Sequence, residues 1–248
     1  METSITLLEE RVGIGSGAGV STSGERVAVE VLKSKYREAA TIFDVGANKG
    51  QYCSMLHGLL KDEMPFQVYS FEPSKATFGL LVQNTVDLKN VTLNNLGLFS
   101  ESGEGTLYSD KEGSGLASLT ARRLDHYRIE HGSLQENVKF ITLDAYCQER
   151  DIQTIDLLKI DVEGYELDVL RGGDELFERG NVEIVQFEFG GCNIDTRTYF
   201  QDFYYFFSKR EFDLYRILPD ATLLKIGLYN KSLERFRTAN YLAVHKRE

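Results

Sequence analysis

Long apolar runs are missing from this chain, and that absence sets the first limit on what it is. Of its 248 residues 42 % are apolar and 27 % charged, proportions of a globular protein. No stretch approaches the roughly 18 consecutive apolar residues that span a bilayer, so no transmembrane helix is expected. The opening Met-Glu-Thr-Ser-Ile-Thr-Leu-Leu-Glu-Glu lacks the basic region and apolar core of a secretory signal, and a cytoplasmic location is the expectation. Cysteine is scarce: Cys53, Cys147 and Cys192 are odd in number and far apart. They form no Cys-x-x-Cys pair and no Cys/His cluster, so reduced, partly buried thiols are expected. Positive charge is also short. With 28 Lys and Arg against 38 Asp and Glu the formal charge is −10, and no basic stripe is present to meet a phosphate backbone, which argues against nucleic acid as partner. The nearest group, Arg122, Arg123 and Arg128, is interrupted by acids.

What is present is an alternation of strand and helix patterns. Residues 11–24 carry Gly13, Gly15, Gly17 and Gly19 and read as a flexible loop, followed by a helix from Glu25 to Tyr36. Strand Thr41 to Val45 precedes a helix bearing Tyr52, Met55, Leu56, Leu59 and Leu60, spaced to bury one face. Strand Gln67 to Phe71 precedes a helix bearing Phe78, Leu81 and Val82. Val91 to Leu96 reads as a third main strand and Ile155 to Ile160 as a fourth. Between them lie strands at Gly105 to Tyr108 and Val138 to Leu143, a polar interval Ser109 to Glu136, and a short helix ending near Glu149. Helix Glu166 to Phe177, strand Val182 to Phe189, an aromatic helix around Tyr199 to Phe207, and strands Phe212 to Ile217 and Tyr241 to His245 complete the chain. The aromatics between Tyr199 and Phe207 are expected to pack as core. The order predicts an α/β fold, a doubly wound, mostly parallel sheet with an antiparallel C-terminal edge. One domain is expected, with residues 1–40 as a glycine-rich loop and helix, 41–248 as the ligand-binding unit, and 105–150 as an insertion.

Three segments carry the chemistry. Gly46 and Gly50 bracket the first strand-to-helix turn, where the missing side chains let backbone approach a ligand; Ala47 and Asn48 lie between them. The pattern Asp44-x-Gly46-x-x-x-Gly50 is not the dinucleotide fingerprint. Glu72, followed by Pro73, ends the second strand where a ribose-binding acid is expected in such a sheet. Asp44 is either a cofactor-orienting acid or a cap of the turn. Asp161 and Glu163 end the fourth strand before Gly164, so both project at the carboxyl edge where ligands of open α/β sheets bind. Lys159, unusual in an apolar strand, either bridges a neighbouring acid or reaches the site.

Together these segments resemble the FkbM family of S-adenosylmethionine-dependent methyltransferases: the Asp44 to Gly50 turn, Phe71-Glu72-Pro73, and Leu158-Lys159-Ile160-Asp161-Val162-Glu163-Gly164 with Glu166, over roughly Ile42 to Phe189. The resemblance implies a Rossmann-like class I methyltransferase. It assigns the Asp44 to Gly50 turn to the methionine portion of S-adenosylmethionine, Glu72 to its ribose, and Gly97 and Leu98 to the neighbourhood of adenine. Asp161 and Glu163 would face the methyl group and the acceptor, and a hydroxyl of a sugar or secondary metabolite is the implied acceptor.

Methyl transfer to an alcohol needs positioning and a base within hydrogen-bond reach. Asp161 or Glu163 is the expected base, with Glu188 at the end of strand five a third candidate and His126 a minor one. Converging carboxylates also suit Mg²⁺, although no further ligand can be placed. His57 and His245 read as structural, and His126 and His131 fall in the polar interval expected to cover the substrate together with the N-terminal glycine loop. Two competing readings are a nicotinamide-dependent oxidoreductase, disfavoured by the turn spacing, and a catalytically inactive interaction module, disfavoured by the intact strand-end acids. No motif encodes the acceptor's identity or the oligomeric state.

Overall fold

The computed structural model describes residues 8–15, 19–20, 22–35 and 39–246. Among these, the strands are β1 Ala40–Val45, β2 Phe66–Phe71, β3 Val91–Asn94, β4 Gly97–Leu98, β5 Gly103–Ser109, β6 Leu134–Ile141, β7 Ile155–Ile160, β8 Val182–Phe189, β9 Phe212–Ile217, β10 Leu223–Ile226 and β11 Ala239–His245. Eight of them form one sheet in the order β10-β9-β11-β8-β7-β1-β2-β3. From β3 through β8 every neighbour is parallel. β11 runs antiparallel to both β8 and β9, and β10 antiparallel to β9. The doubly wound sheet with an antiparallel C-terminal edge is therefore what the chain forms. Its wind reverses between β1 and β7, since the chain builds outward from β1 to β3 and then returns to start the other half at β7. A crevice opens beyond the carboxyl ends of strands at such a switch point, and Gly46 and Asp161 both stand there.

Strand residues alternate between two cores. Phe43, Val45, Leu158 and Ile160 face one side, with Tyr146, Leu170, Phe203 and Phe207 from the covering helices. Ile42 and Leu157 face the other, with Ala28, Leu32 and Leu56. Every residue of β7 is buried, as expected of a central strand covered on both faces. The aromatic helix Phe200–Ser208 buries Phe200, Phe203, Phe206 and Phe207 as core, while Tyr199 and Tyr205 stay exposed: Phe203 stacks on Phe187 with ring centroids 4.8 Å apart and Phe200 lies tilted against Tyr241 at 4.6 Å. Each such side chain contributes about 1.5–3 kcal/mol on burial.

Several boundaries differ from the sequence reading. The third strand stops at Asn94, not Leu96, because Asn95 Nδ2 donates to Glu72 O at 3.0 Å and Pro73 O at 3.1 Å and turns the chain there. Strand Val138 to Leu143 begins at Leu134 and ends at Ile141, since Thr142 caps helix Leu143–Glu149 by accepting from Ala145 N at 3.1 Å. The single helix expected over 166–177 is two, Glu166–Arg171 and Asp174–Glu178. At Gly172 a Cβ would lie 2.1 Å from Phe99 O, so the chain passes too close for a side chain and the helix breaks. Val82, expected on a buried face, is 42 % exposed; Thr77 and Leu81 are the buried positions of that helix. The expected closing strands do pair, but β11 inserts between β8 and β9, and the short β10, unseen in the sequence, takes the edge.

β4, β6 and β5 form a separate three-stranded sheet, while helix Leu143–Glu149 returns Leu143, Tyr146 and Cys147 to the main core. All three cysteines are free and buried. The glycine-rich stretch is docked where it is described: a Cβ on Gly13 would lie 2.4 Å from Ile217 O, and one on Gly24 2.0 Å from Leu218 O. Residues 16–18, 21 and 36, on which parts of the loop and helix expectations fall, lie outside the described residues.

Candidate active site

The turn after β1 is built by backbone. Gly46 N and Ala47 N both donate to Phe71 O, at 3.0 and 2.9 Å, tying the turn to the end of β2. Gly46 has φ +77°, and a Cβ there would stand 1.8 Å from Asp161 O, so only glycine fits where β1 and β7 come together. Gly50, at φ +87°, opens helix Gln51–Leu60. Asp44 points inward. It is fully buried, with Lys159 Nζ 3.5 Å from its Oδ1 and Cys53 Sγ 3.4 Å from its Oδ2. Lys159 also donates to Gly46 O at 3.3 Å and approaches Asp161 Oδ2 at 3.4 Å. Both readings of Lys159 hold: it joins Asp44, the turn and Asp161, and it lines the adjoining cleft. Burial pulls its ammonium down, but Asp161, Asp44 and Glu25 together hold it above its ordinary value.

Glu72 is placed by the turn it faces. Its Oε2 accepts from Asn48 N at 3.1 Å and its Oε1 from Ser74 N at 3.0 Å. Burial pushes its carboxyl up to about 7 against the pull of those N–H groups. A cavity opens in front of it, lined by Gly46, Asn48, Pro73, Gly97, Leu98 and Phe99, together with Phe140 and Tyr165. Gly97 is required there, because a Cβ would meet the Phe140 ring at 2.7 Å.

A second, larger cleft lies across the turn, lined by Ala47, Gly50, Lys159 and Glu188, and by Gly15, Gly19 and Gly24 of the N-terminal stretch. Gly46, Asn48, Gly115, Asp161 and Glu163 line both spaces. Asp44 lines neither, so its influence passes through Lys159.

The acids of the β7 turn crowd this junction. Glu163 adopts φ +54°, uncommon for a residue with a side chain, and its carboxylate meets Arg122 Nη1 at 2.5 Å. Burial first, and then Asp161, raise its carboxyl to about 8 in spite of that arginine. Glu166 faces the protein instead: its Oε1 accepts from Val162 N at 3.1 Å and Gly164 N at 3.0 Å, organising the turn. Glu188 has no cation or hydrogen-bond donor beside it among the described residues. Burial, followed by Asp161, Glu163, Glu166 and Glu25, pushes it well above the carboxylate range. No group of three or more His, Cys, Asp or Glu side chains among the described residues is arranged to hold a metal ion, so the Mg²⁺ alternative gains no ligand set.

A family model described as a methyltransferase FkbM domain matches residues 44–214, from the first strand-end acid into β9. The chain belongs to the FkbM methyltransferase family. Among its relatives, hexuronic acid methyltransferase AglP of Haloferax volcanii is 26 % identical over 168 residues, 67 % of this chain and 64 % of that protein. 2-O-methyltransferase NoeI of Sinorhizobium fredii is 25 % identical over 179 residues, 69 % of this chain and 72 % of that protein. The chain thus spans a little under two thirds of the length of AglP. A crystal structure of methyltransferase FkbM from Methylobacillus flagellatus superposes with a TM-score of 0.46 and 14 % identity, covering 97 % of this chain and 58 % of that one.

Within this FkbM chain the structure brings together Gly46, Asn48, Glu72, Pro73, Gly97, Leu98, Asp161 and Glu163 around one cavity, and puts Ala47, Gly50 and Glu188 on the adjoining cleft. Sequence reasoning missed two residues there. Glu25, just before helix Arg26–Lys35, lines the cleft, with Gln186 Nε2 donating to its Oε1 at 2.5 Å and Ser23 Oγ to its Oε2 at 2.7 Å. Arg122, which in the sequence belongs to a basic group interrupted by acids, pairs with Glu163 and approaches Asp195 Oδ2 at 3.5 Å through Nε. No local pattern marks either residue, since both reach the site only through long-range packing. His126 is exposed and its ring contacts Tyr127. His131 clamps its own loop, accepting from Arg122 N at 3.1 Å and facing Leu116 O at 2.8 Å. His57 lies against Phe66, and His245 against Phe212.

Proposed function

We propose that this FkbM family chain is an S-adenosylmethionine-dependent O-methyltransferase whose acceptor is a hydroxyl of a sugar or secondary metabolite. One observation carries the reading: a cavity lined by Glu72 and apolar side chains and a broader cleft meet at Gly46, Asn48, Asp161 and Glu163. A donor in the first and an acceptor in the second would face each other there.

The residues present fit the donor. Glu72 presents a carboxylate, already oriented by two N–H groups, to accept from ribose hydroxyls, and Leu98, Phe99 and Phe140 offer an apolar slot for adenine. Gly46 leaves open backbone where a side chain would collide, and the buried Asn48 Oδ1 has no partner within the protein. At the junction Glu163, Glu188 and Glu25 gather carboxyl groups whose ionised forms are disfavoured by burial and by neighbouring acids, and a cationic ligand placed there would favour those ionised forms. Bound there, S-adenosylmethionine supplies an electrophilic methyl group on a positively charged sulfur.

The protein's own contribution is to orient the acceptor and to take its proton. Asp161 is the base in this reading. Its side chain is 39 % exposed at the junction and held from behind by Lys159, so it stands free to accept, whereas Glu163 is engaged by Arg122. A sugar acceptor accords with the names of AglP and NoeI. The test is transfer of labelled methyl to a panel of hydroxylated acceptors, beginning with hexuronic acids. Label on an acceptor oxygen is expected; label only on amines, or none although S-adenosylhomocysteine binds, overturns the O-methyl reading.

A further inference from the structure

The interval between β5 and β6 crosses the junction as a strap. Its root is fixed, because Gly132 N donates to Ser109 O at 3.0 Å and Ser133 Oγ to Asp110 O at 3.1 Å. Its tip contributes to both spaces: Ser114, Ala117 and Leu119 line the small cavity, and Leu116, Leu124 and Tyr127 line the cleft. Gly115 belongs to both. The strap grips one short piece of the main domain, the turn after β7. Ser118 Oγ donates to Glu163 O at 2.9 Å, Thr120 Oγ1 and the Tyr165 hydroxyl are 2.6 Å apart, and Arg122 meets the Glu163 carboxylate at 2.5 Å.

Arg122 differs from the other anchors. Its side chain is 9 % exposed, and its fork reaches two elements at once, Glu163 through Nη1 and Asp195 of helix Cys192–Thr196 through Nε. The planar guanidinium turns two different nitrogens toward two acids, a spread that the single ammonium of lysine does not reproduce. The remaining anchors to the β7 turn are a hydroxyl on a carbonyl and a pair of hydroxyls, exchangeable for water at modest net cost, while Ser118 is tied by two backbone hydrogen bonds to Tyr108 of β5. Arg122 is also the one cation in contact with Glu163 among the described residues, the other groups around that carboxyl, Asp161, Glu166, Glu188 and Cys192, being acids or a thiol.

We propose that Arg122 is a positioning residue that latches the strap of residues 110–131 over the nucleoside cavity, and that exchange of the donor and its product requires this latch to open. The inference rests on the donor site described above. It assigns a role to a residue outside the three motif segments, and it makes strap opening, a lid motion, the step that releases spent donor. Arg122 lines the acceptor cleft, and its hold on the strap acts through Glu163 and Asp195.

The test follows dissociation of S-adenosylhomocysteine by stopped-flow displacement from the full chain and from Arg122→Ala, Arg122→Lys and Asp195→Asn. Arg122→Ala is expected to speed release at least tenfold. Arg122→Lys, which keeps the charge but cannot span both acids, and Asp195→Asn should fall between it and the parent. Hydrogen exchange in Arg122→Ala should rise within 110–131 and stay unchanged in β1, β7 and β8. Wild-type release rates in all three variants, or in the two conservative variants should Arg122→Ala fail to fold, overturn the latch. If the parent chain does not bind S-adenosylhomocysteine, the donor reading falls by itself; the exchange experiment then decides the latch, and no increase at 110–131 in Arg122→Lys or Asp195→Asn refutes it.

Discussion

Replacing Lys159 with methionine isolates the electrostatic centre of the site. Lys159 is almost fully buried and stands 3.5 Å from Asp44 Oδ1, 3.4 Å from Asp161 Oδ2 and 3.3 Å from Gly46 O. Methionine keeps most of the volume and removes the charge. Asp161 is partly exposed and can be rehydrated, so it adds little to the cost. Asp44 cannot, because it is fully buried and its remaining neighbour is the weak Cys53 thiol donor. Leaving one member of a buried pair unpaired costs about 3–5 kcal/mol, and that is the expected loss for Lys159→Met in urea denaturation followed by circular dichroism. The partner change supplies the control. Asp44→Asn removes the stranded charge, so the double variant Lys159→Met/Asp44→Asn should recover more than half of the loss, a strongly non-additive cycle as expected of contacting residues. A loss below about 1 kcal/mol for Lys159→Met, or additive effects in the double variant, would refute the claim that Lys159 neutralises Asp44 in the core.

Gly46→Ala places a Cβ 1.8 Å from Asp161 O at φ +77°; it should abolish S-adenosylhomocysteine binding in calorimetry and lower the melting temperature. The ligand-free protein should lose stability as pH rises from about 5 to about 8. Glu72 and Glu166 are raised by burial to about 7, and Glu163 by burial and Asp161 to about 8, so the folded state binds more protons than the unfolded one across that window. The stability these groups lend is complete below their unfolded values and is lost as pH climbs through their folded ones; a melting temperature that rises over the same range contradicts the assignment. Donor binding near neutral pH should release protons, because a cation beside Glu163 and Glu188 favours their ionised forms. Calorimetry in buffers of different ionisation enthalpy should show release with S-adenosylmethionine and less with the uncharged-sulfur product; equal release with both argues against the sulfonium lying by these acids.

The sheet was legible because its signals are local. β7 reads as a buried strand from Ile155 to Ile160, and the three motif segments fall at strand ends, where a parallel sheet must gather them. The family likeness and the alternation of elements agree with the topology observed. What escaped depends on distant contacts. Gly172 breaks a helix because Phe99, more than seventy residues earlier, passes against it. β10 is four residues long and half exposed, with too little pattern to separate it from a loop. Arg122 and Glu25 sit in segments whose sequence gives no periodic signal; their place on the cleft exists only after the strap folds over and the helix from Arg26 packs beneath. The sequence alone leaves Asp44 either facing the ligand or capping the turn. Its full burial shows a third use, as the inner partner of the lysine that holds the turn.

The central claim is that the cavity beside Glu72 holds the nucleoside of a methyl donor. Titrating S-adenosylhomocysteine into the protein and into Glu72→Gln by isothermal calorimetry tests it most directly. Tight binding to the parent is predicted, with a loss of about 1.5–3 kcal/mol in Glu72→Gln, the range for hydrogen bonds to a charged group. No binding to the parent, or equal binding to both, would contradict the account.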